Sequence, residues 1–290
     1  MAEPLPLCYL NGTYLPLAAA RISPLDRGFL YADAVYELMP VYGGRPFRFA
    51  AHGERLTRSL AGISMEDPHT REEWRAILAG LIERNGGGDC YVYWQVTRGA
   101  QLGRSHAPLP HIPRTVFAFC APLALAAADV LDKGVSCVTA ADTRWARCDI
   151  KSVALLANVL LRQLSVEAGA AETILLRDGE LTEASASAVH VVLAGEVLMP
   201  PNSRRILPGT TRGVVEEMAA RAAIHCRVMP ISETQLRAAD EVWISAATRE
   251  VQPVTAIDGH AVGTGKPGPL WRRVYAELQR YKQELDGTPW

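Results

Sequence analysis

The sequence predicts an α+β fold rather than a doubly wound sheet. Two-residue turn signals recur between short β-prone runs, at Asn11-Gly12, Gly43-Gly44, Asp178-Gly179, Ala194-Gly195 and Asp258-Gly259. Helical periodicity is confined to a few separated stretches. Most strand connections are also too short for the crossover that a parallel pair requires.

Taken in chain order, the first hairpin turns at Asn11-Gly12 and the second at Gly43-Gly44, and HGERLTRSL then reads as a helix carrying Arg55. Thr70 and Glu73 form a capping box ahead of Trp74, Ile77, Leu78 and Leu81, whose i, i+3, i+4, i+7 spacing predicts a helix closed by Asn85-Gly86. Alternating apolar residues predict strands near 90–98 and 115–121. Pro122 and the Ala-rich run after it make 121–132 an expected linker, which could also hold a short helix. It separates a domain over 1–120 from one over 133–290. In the second half, helices are expected from Leu155 to Glu167, ended by Gly169, from Gly213 to Ile224, and from Leu270 to Leu285.

With 290 residues, 49% of them apolar, the chain can bury one large core or two medium ones. A formal charge of −1 with interspersed acids and bases gives no electrostatic footprint for nucleic acid or an anionic membrane, so the expected partner is a small molecule. Six dispersed cysteines, with no CxxC pair and no histidine at ligand spacing, are expected to be buried thiols in a reducing compartment. The N-terminus has no basic-then-apolar leader, and the longest apolar segment, Leu123–Leu131, is too short to cross a bilayer; the expectation is a cytoplasmic protein. GxGxxG opening a helix, GxxxxGK[ST], GxSxG and HExxH are all missing, which disfavours dinucleotides, nucleoside triphosphates, serine hydrolysis and zinc proteolysis.

Lys151 is the residue whose setting is unusual. It sits in RWARCDIKS among an aspartate and two arginines, ahead of an apolar helix. A lysine held among cations and partly desolvated loses basicity and becomes a usable amine nucleophile for a carbonyl; the bland reading is a strand-end lysine paired with Asp149. An aromatic carbonyl cofactor would further need a carboxylate for its ring nitrogen and an anion site for its phosphate. Glu183, followed by small residues in LTEASASAV, is the candidate carboxylate, or else a solvated turn glutamate. Gly209, Thr210 and Thr211 open a helix in ILPGTTRGVV, where N–H groups, hydroxyls and the helix dipole suit an anion; otherwise they are an ordinary N-cap. Arg55 could add a bidentate phosphate contact or be a surface arginine.

These pieces stand in the order of one known family. YLNGTYLPL, ISPLDRGFLYADAVYE, HGERLTRSL, RCDIKS, LTEASASAV and ILPGTTRGVV together resemble the fold-type IV pyridoxal-phosphate enzymes, the group of D-amino-acid and branched-chain aminotransferases, over nearly the whole chain. The resemblance implies a two-domain α+β fold with the second domain carrying Lys151 as the Schiff-base lysine and proton shuttle. It also implies pyridoxal 5′-phosphate as cofactor, Glu183 at the ring nitrogen, Arg55 at the phosphate, Thr210 and Thr211 at the phosphate-binding helix start, and Leu207 against the ring. QVTRGAQLGRSH and DAVYE are similar to the D-amino-acid branch, which implies that Tyr36, Arg104 and His106 hold the substrate carboxylate.

Two departures stand out against that branch. The Gly99–Arg104 segment is one residue longer, and Ala246 and Ala247 replace a hydroxyl pair, so that phosphate binding falls more on Arg55, Thr211, backbone amides and Thr248. The implied reaction is transamination between D-amino acids, such as D-alanine or D-glutamate, and a 2-oxo acid, in a homodimer. A branched-chain or (R)-amine transaminase, an aminodeoxychorismate lyase and a non-catalytic cofactor-binding protein are the alternatives.

Overall fold

A computed structural model describes residues 3–284. Its contacts fall into two units: residues 3–124 together with Ile150–Leu155, and Leu125–Asp149 together with residues 156–284.

The first unit contains β1 (Leu7–Leu10), β2 (Thr13–Pro16), α1 (Arg27–Tyr31), β3 (Ala34–Tyr42), β4 (Arg45–Pro46), α2 (Phe49–Gly62), α3 (Arg71–Arg84), β5 (Cys90–Thr97) and β6 (Thr115–Pro122). Its strands form an antiparallel sheet in the order β2-β1-β6-β5-β3-β4. Both expected turns form, with Asn11 and Gly12 at φ 47° and 93° and Gly43 and Gly44 at 54° and 80°, the left-handed conformations that match strand twist. The alternation in β5 buries Cys90, Val92, Trp94 and Val96 in one core with Leu56 and Leu60 of α2 and Trp74, Leu78 and Leu81 of α3. The Thr70–Glu73 capping box closes in both directions, satisfying two first-turn N–H groups and stabilising α3 by about 1 kcal/mol.

The second unit contains α4 (Ala128–Lys133), β7 (Val135–Ala141), α5 (Leu156–Glu167), β8 (Glu172–Arg177), β9 (Glu180–Ala184), β10 (Ala188–Leu193), β11 (Glu196–Met199), α6 (Thr210–Arg221), β12 (Cys226–Val228), α7 (Glu233–Arg237), β13 (Glu241–Ala246), β14 (Glu250–Ile257), β15 (His260–Ala261) and α8 (Pro269–Glu284). The strand order is β12-β11-β10-β13-β14-β7-β8-β9, with β15 on β14. This sheet is mixed: β7 runs parallel to β8 and to β14, and β11 parallel to β12. The long connections containing α5 and α6 supply the crossovers that hairpin spacing alone does not announce.

Several sequence expectations shift. Ile150–Leu155 groups with the first unit rather than with the rest of 133–290, because Tyr36 N–H donates to Lys151 O (3.0 Å) and Val153 N–H to Ala34 O (3.1 Å). Within 121–132, Pro122 ends β6 and α4 begins at Ala128. Helix α6 starts at Thr210, earlier than Gly213, because extended Gly209 is its N-cap, and it stops at Arg221. Helix α7 was not anticipated, although Ser232 and Gln235 form a second capping box. Leu285, the expected end of the last helix, lies outside the described residues. Five cysteines are buried and free as expected, whereas Cys226 on the edge strand β12 is half-buried. Among the described residues no helix is long and apolar enough to cross a membrane.

Candidate active site

Within the first unit, Lys151 is fixed through its backbone before its side chain does anything. Its N–H donates to Ser59 Oγ of α2 (3.1 Å) and its carbonyl accepts from Tyr36 of β3. Lys151 Nζ lies 4.2 Å from the centroid of the Tyr36 ring, which stacks on Tyr93 at 5.3 Å. The bland pairing with Asp149 is not formed, because Arg147 takes that carboxylate through two 3.0 Å hydrogen bonds. Nor do Arg144 and Arg147 act as bare cationic neighbours of the lysine, since both are matched by carboxylates.

Arg55 is not a surface arginine: it is 4% exposed and clamped by Glu37 of β3. Arg55 Nε donates to Glu37 Oε1 and Nη2 to Glu37 Oε2, each at 2.7 Å, while His52 Nδ1 lies 2.7 Å from Oε2. Burial opposes ionisation of Glu37, but the Arg55 guanidinium and the His52 contact hold its carboxyl at about 2. Burial pushes the His52 imidazole down. The sequence reading missed Glu37 and His52; the available signal was a carboxylate inside the apolar strand AVYELMPVY and a histidine one helical turn before Arg55.

Arg104 and His106 lie on the loop between β5 and β6, exposed, and the structure brings them together around Tyr31 rather than Tyr36. Arg104 Cζ is 5.4 Å and the His106 ring 5.6 Å from the Tyr31 ring.

Within the second unit, Glu183 on β9 is 7% exposed, so it is not a solvated turn residue. Arg144 Nη1 donates to its Oε1 in a short ion pair, and Leu207 N–H donates to the same oxygen at 3.1 Å. Oε2 has no hydrogen bond to any described residue. Burial pushes the Glu183 carboxyl up, against the opposing pull of Arg144 and the Leu207 N–H. Arg144 also holds Asp142, which Thr182 (2.9 Å) and Arg177 (3.0 Å) bind as well. Burial opposes ionisation of Asp142, but these partners hold its carboxyl below the usual range.

Thr210 and Thr211 occupy the first turn of α6, where the N-cap is Gly209 and no side chain caps the helix. First-turn N–H groups have no carbonyl behind them in the helix, so backbone amides and two hydroxyls are available to an anion there. Thr248 lies in the turn between β13 and β14, directly after Ala246 and Ala247. The site residues thus fit a ligand with a ring N–H for the open oxygen of Glu183 and an anionic group for the start of α6.

Residues 34–257 match the family described as Amino-transferase class IV. The chain is 36% identical over 269 residues to D-alanine aminotransferase of Bacillus licheniformis, covering 93% of this chain and 94% of that protein. It is 38% identical over 262 residues to D-alanine aminotransferase of Listeria monocytogenes serotype 1/2a, covering 88% of each. Its structure resembles the T.th. branched-chain amino acid aminotransferase solved with pyridoxamine 5′-phosphate, with a TM-score of 0.87, 28% identity and coverage of 96% and 94%. The branched-chain enzyme of Escherichia coli shares the fold at a TM-score of 0.85 and 22% identity, over 93% and 92% of the two chains.

Proposed function

The chain belongs to the class IV aminotransferase family, and from that premise we propose that it moves amino groups between D-amino acids, such as D-alanine or D-glutamate, and 2-oxo acids such as pyruvate or 2-oxoglutarate. Its cofactor is pyridoxal 5′-phosphate. The observation that carries the reading is the one open oxygen of a buried, doubly anchored Glu183. The preference for D-amino acids is supported by the similarity to D-alanine aminotransferases and by the Arg104-x-His106 segment.

When bound, the cofactor supplies an aldehyde that condenses with amines and a protonated ring that accepts electrons from the substrate Cα–H bond. With that group in place, Lys151 Nζ would be the amine facing its aldehyde and the base that would hold and return the substrate Cα proton. Tyr36 beneath Nζ fixes where that amine points. Glu183 Oε2 accepts the ring N–H, and Arg144 keeps Glu183 in place as a carboxylate. Arg55, oriented by Glu37, would bind the phosphate from the first unit; in the second unit the first-turn amides and hydroxyls of Thr210 and Thr211, and Thr248, are the groups that would receive an anion, and Leu207 is the residue that would meet the ring. Tyr36, Arg104 and His106 take the substrate carboxylate through charge-assisted hydrogen bonds.

The working form in this reading is a cytoplasmic homodimer. Leu156, Val159, Leu160 and Leu164 make a stripe on α5 that is 44–72% exposed in the single chain, an apolar face that a second copy would cover. A dimer also gives the exposed Arg104 and His106 a carboxylate to meet other than beside the Tyr36 of their own chain. Free cysteines fit a reducing compartment. The test is a stopped-flow comparison of D-alanine with L-alanine and L-leucine on the purified enzyme, reading loss of the visible cofactor band. The D-isomer should react faster; preference for L-leucine would move the reading to a branched-chain enzyme.

A further inference from the structure

Arg27 belongs to the stretch ISPLDRGFLYADAVYE, of which Tyr36 and Glu37 already have roles. It opens α1, is 3% exposed, and each nitrogen of its guanidinium donates. Nε donates to Asp33 Oδ2 (2.8 Å), Nη1 to the Ser105 carbonyl (2.7 Å) and Nη2 to the His106 carbonyl (2.8 Å). The Arg27 backbone N–H donates to the Gly99 carbonyl at 2.9 Å, so one residue ties down the β5–β6 loop near its start and in its middle. Asp33 Oδ2 also accepts from Arg98 Nε (2.8 Å), whose Nη2 donates to the Ile63 carbonyl (2.6 Å) at the end of α2.

The loop is pinched at its ends as well. A Cβ on Gly99, at φ +95°, would stand 1.9 Å from the Pro113 carbonyl oxygen, so the two strand ends close against each other only with glycine there. Arg27 Cζ lies 4.7 Å from the Tyr31 ring, the same ring that Arg104 and His106 approach. The Tyr31 hydroxyl is buried and has no hydrogen-bond partner among the described residues.

We infer that Arg27 is a positioning residue for carboxylate recognition: by holding the Ser105 and His106 carbonyls it sets the direction in which Arg104 and His106 are presented to the amino acid. The inference rests on the proposed role of Arg104. A loop of this length with no anchor samples many conformers, and a binding group that is competent in only a fraction of them binds more weakly by that fraction. Arg27 touches neither reacting atoms nor substrate in this reading; it acts through the loop backbone.

The test uses holoenzyme of the wild type, Arg27→Lys, Arg27→Gln, Arg104→Ala and the double variant Arg27→Lys/Arg104→Ala. Two readouts are taken: hydrogen–deuterium exchange of the peptides spanning 98–114 and β5, and separate kcat and KM for D-alanine with pyruvate. Arg27→Lys keeps the cation beside Asp33 but replaces the fork with a single ammonium, and it is read if Arg27→Gln does not fold. We expect 98–114 to exchange about tenfold faster with β5 unaltered, and KM for D-alanine to rise about tenfold with kcat within about threefold. The double variant should have the KM of Arg104→Ala alone, as two residues acting through one contact do. Wild-type exchange in 98–114, a fall in kcat with KM unmoved, or additive losses in the double variant would overturn the inference while leaving the proposed function intact. An unaltered KM in Arg104→Ala would bring down the assigned role of Arg104 and this inference with it.

Discussion

Replacing Arg144 by methionine removes the only cation hydrogen-bonded to Glu183 among the described residues, and its consequences follow from the carboxylates it leaves behind. Asp142 keeps Arg177 at 3.0 Å and Thr182 at 2.9 Å, so it retains a charged partner. Glu183 keeps only the Leu207 N–H. Removing one partner of a buried pair costs about 3–5 kcal/mol, because the remaining charge is left uncompensated. That cost has a defined pH dependence. In the wild type burial already pushes the Glu183 carboxyl up, and loss of Arg144 removes the largest opposing influence, so it rises further. An acid whose folded-state value is raised above its unfolded value destabilises the folded state as pH climbs past the unfolded value, and the penalty grows until the folded-state value is passed.

The stability gap between wild type and Arg144→Met should therefore be about 3 kcal/mol or more at pH 8 and clearly smaller at pH 5. Urea unfolding of the cofactor-free proteins at both pH values, at one fixed protein concentration, reads it without reference to activity. A gap under about 1 kcal/mol at pH 8, or one that widens toward pH 5, would show that Arg144 does not carry the charge of Glu183.

Glu183→Gln should keep the visible cofactor band but slow the half-reaction with D-alanine by about 10²- to 10³-fold, the range for losing one preorganised electrostatic group; single-turnover rates near wild type would remove Glu183 from its role. Glu37→Gln loosens the clamp on Arg55 and should weaken cofactor binding about tenfold, read by equilibrium dialysis, with unchanged affinity speaking against Arg55 at the phosphate. The Glu37 carboxyl is depressed to about 2, so its contribution to stability is present above the ordinary glutamate value, near 4.3, and is lost as pH falls from there toward 2; wild-type acid unfolding should show a component in that window that Glu37→Gln lacks. Leu160→Glu places a charge on the exposed stripe of α5 and should convert a dimer to monomer in light scattering, whereas an unaltered mass would remove that face from the subunit contact.

What could be read from the sequence was whatever has a local signature. The Thr70–Glu73 box, the left-handed turns at Asn11-Gly12 and Gly43-Gly44, and the glycine before Thr210 each act within a few residues, and each forms. Lys151 and Glu183 stood out through their immediate neighbours, but the reasons offered were partly wrong. The arginines beside Lys151 are paired off, and what holds Glu183 is Arg144, thirty-nine positions earlier. No spacing rule connects residues that far apart, nor Glu37 to Arg55 across strand and helix. The parallel pairing of β7 with β8 was hidden for the same reason, since apolar alternation marks a strand without saying which way its neighbour runs. Helix α7 was legible in Ser232 and Gln235 and was overlooked.

The two donors that converge on one oxygen of Glu183 also decide how an amide would sit there. Arg144 Nη1 and Leu207 N–H both require an acceptor, so the side chain of Glu183→Gln must turn its carbonyl oxygen toward them and its NH2 outward. The open position then changes from acceptor to donor. A ring nitrogen bearing a proton would face a second N–H, while a bare nitrogen would find a partner. The variant would therefore do more than weaken a contact: it would select the opposite protonation state of the ring, and a shift in the colour of the bound cofactor with pH would report that choice directly.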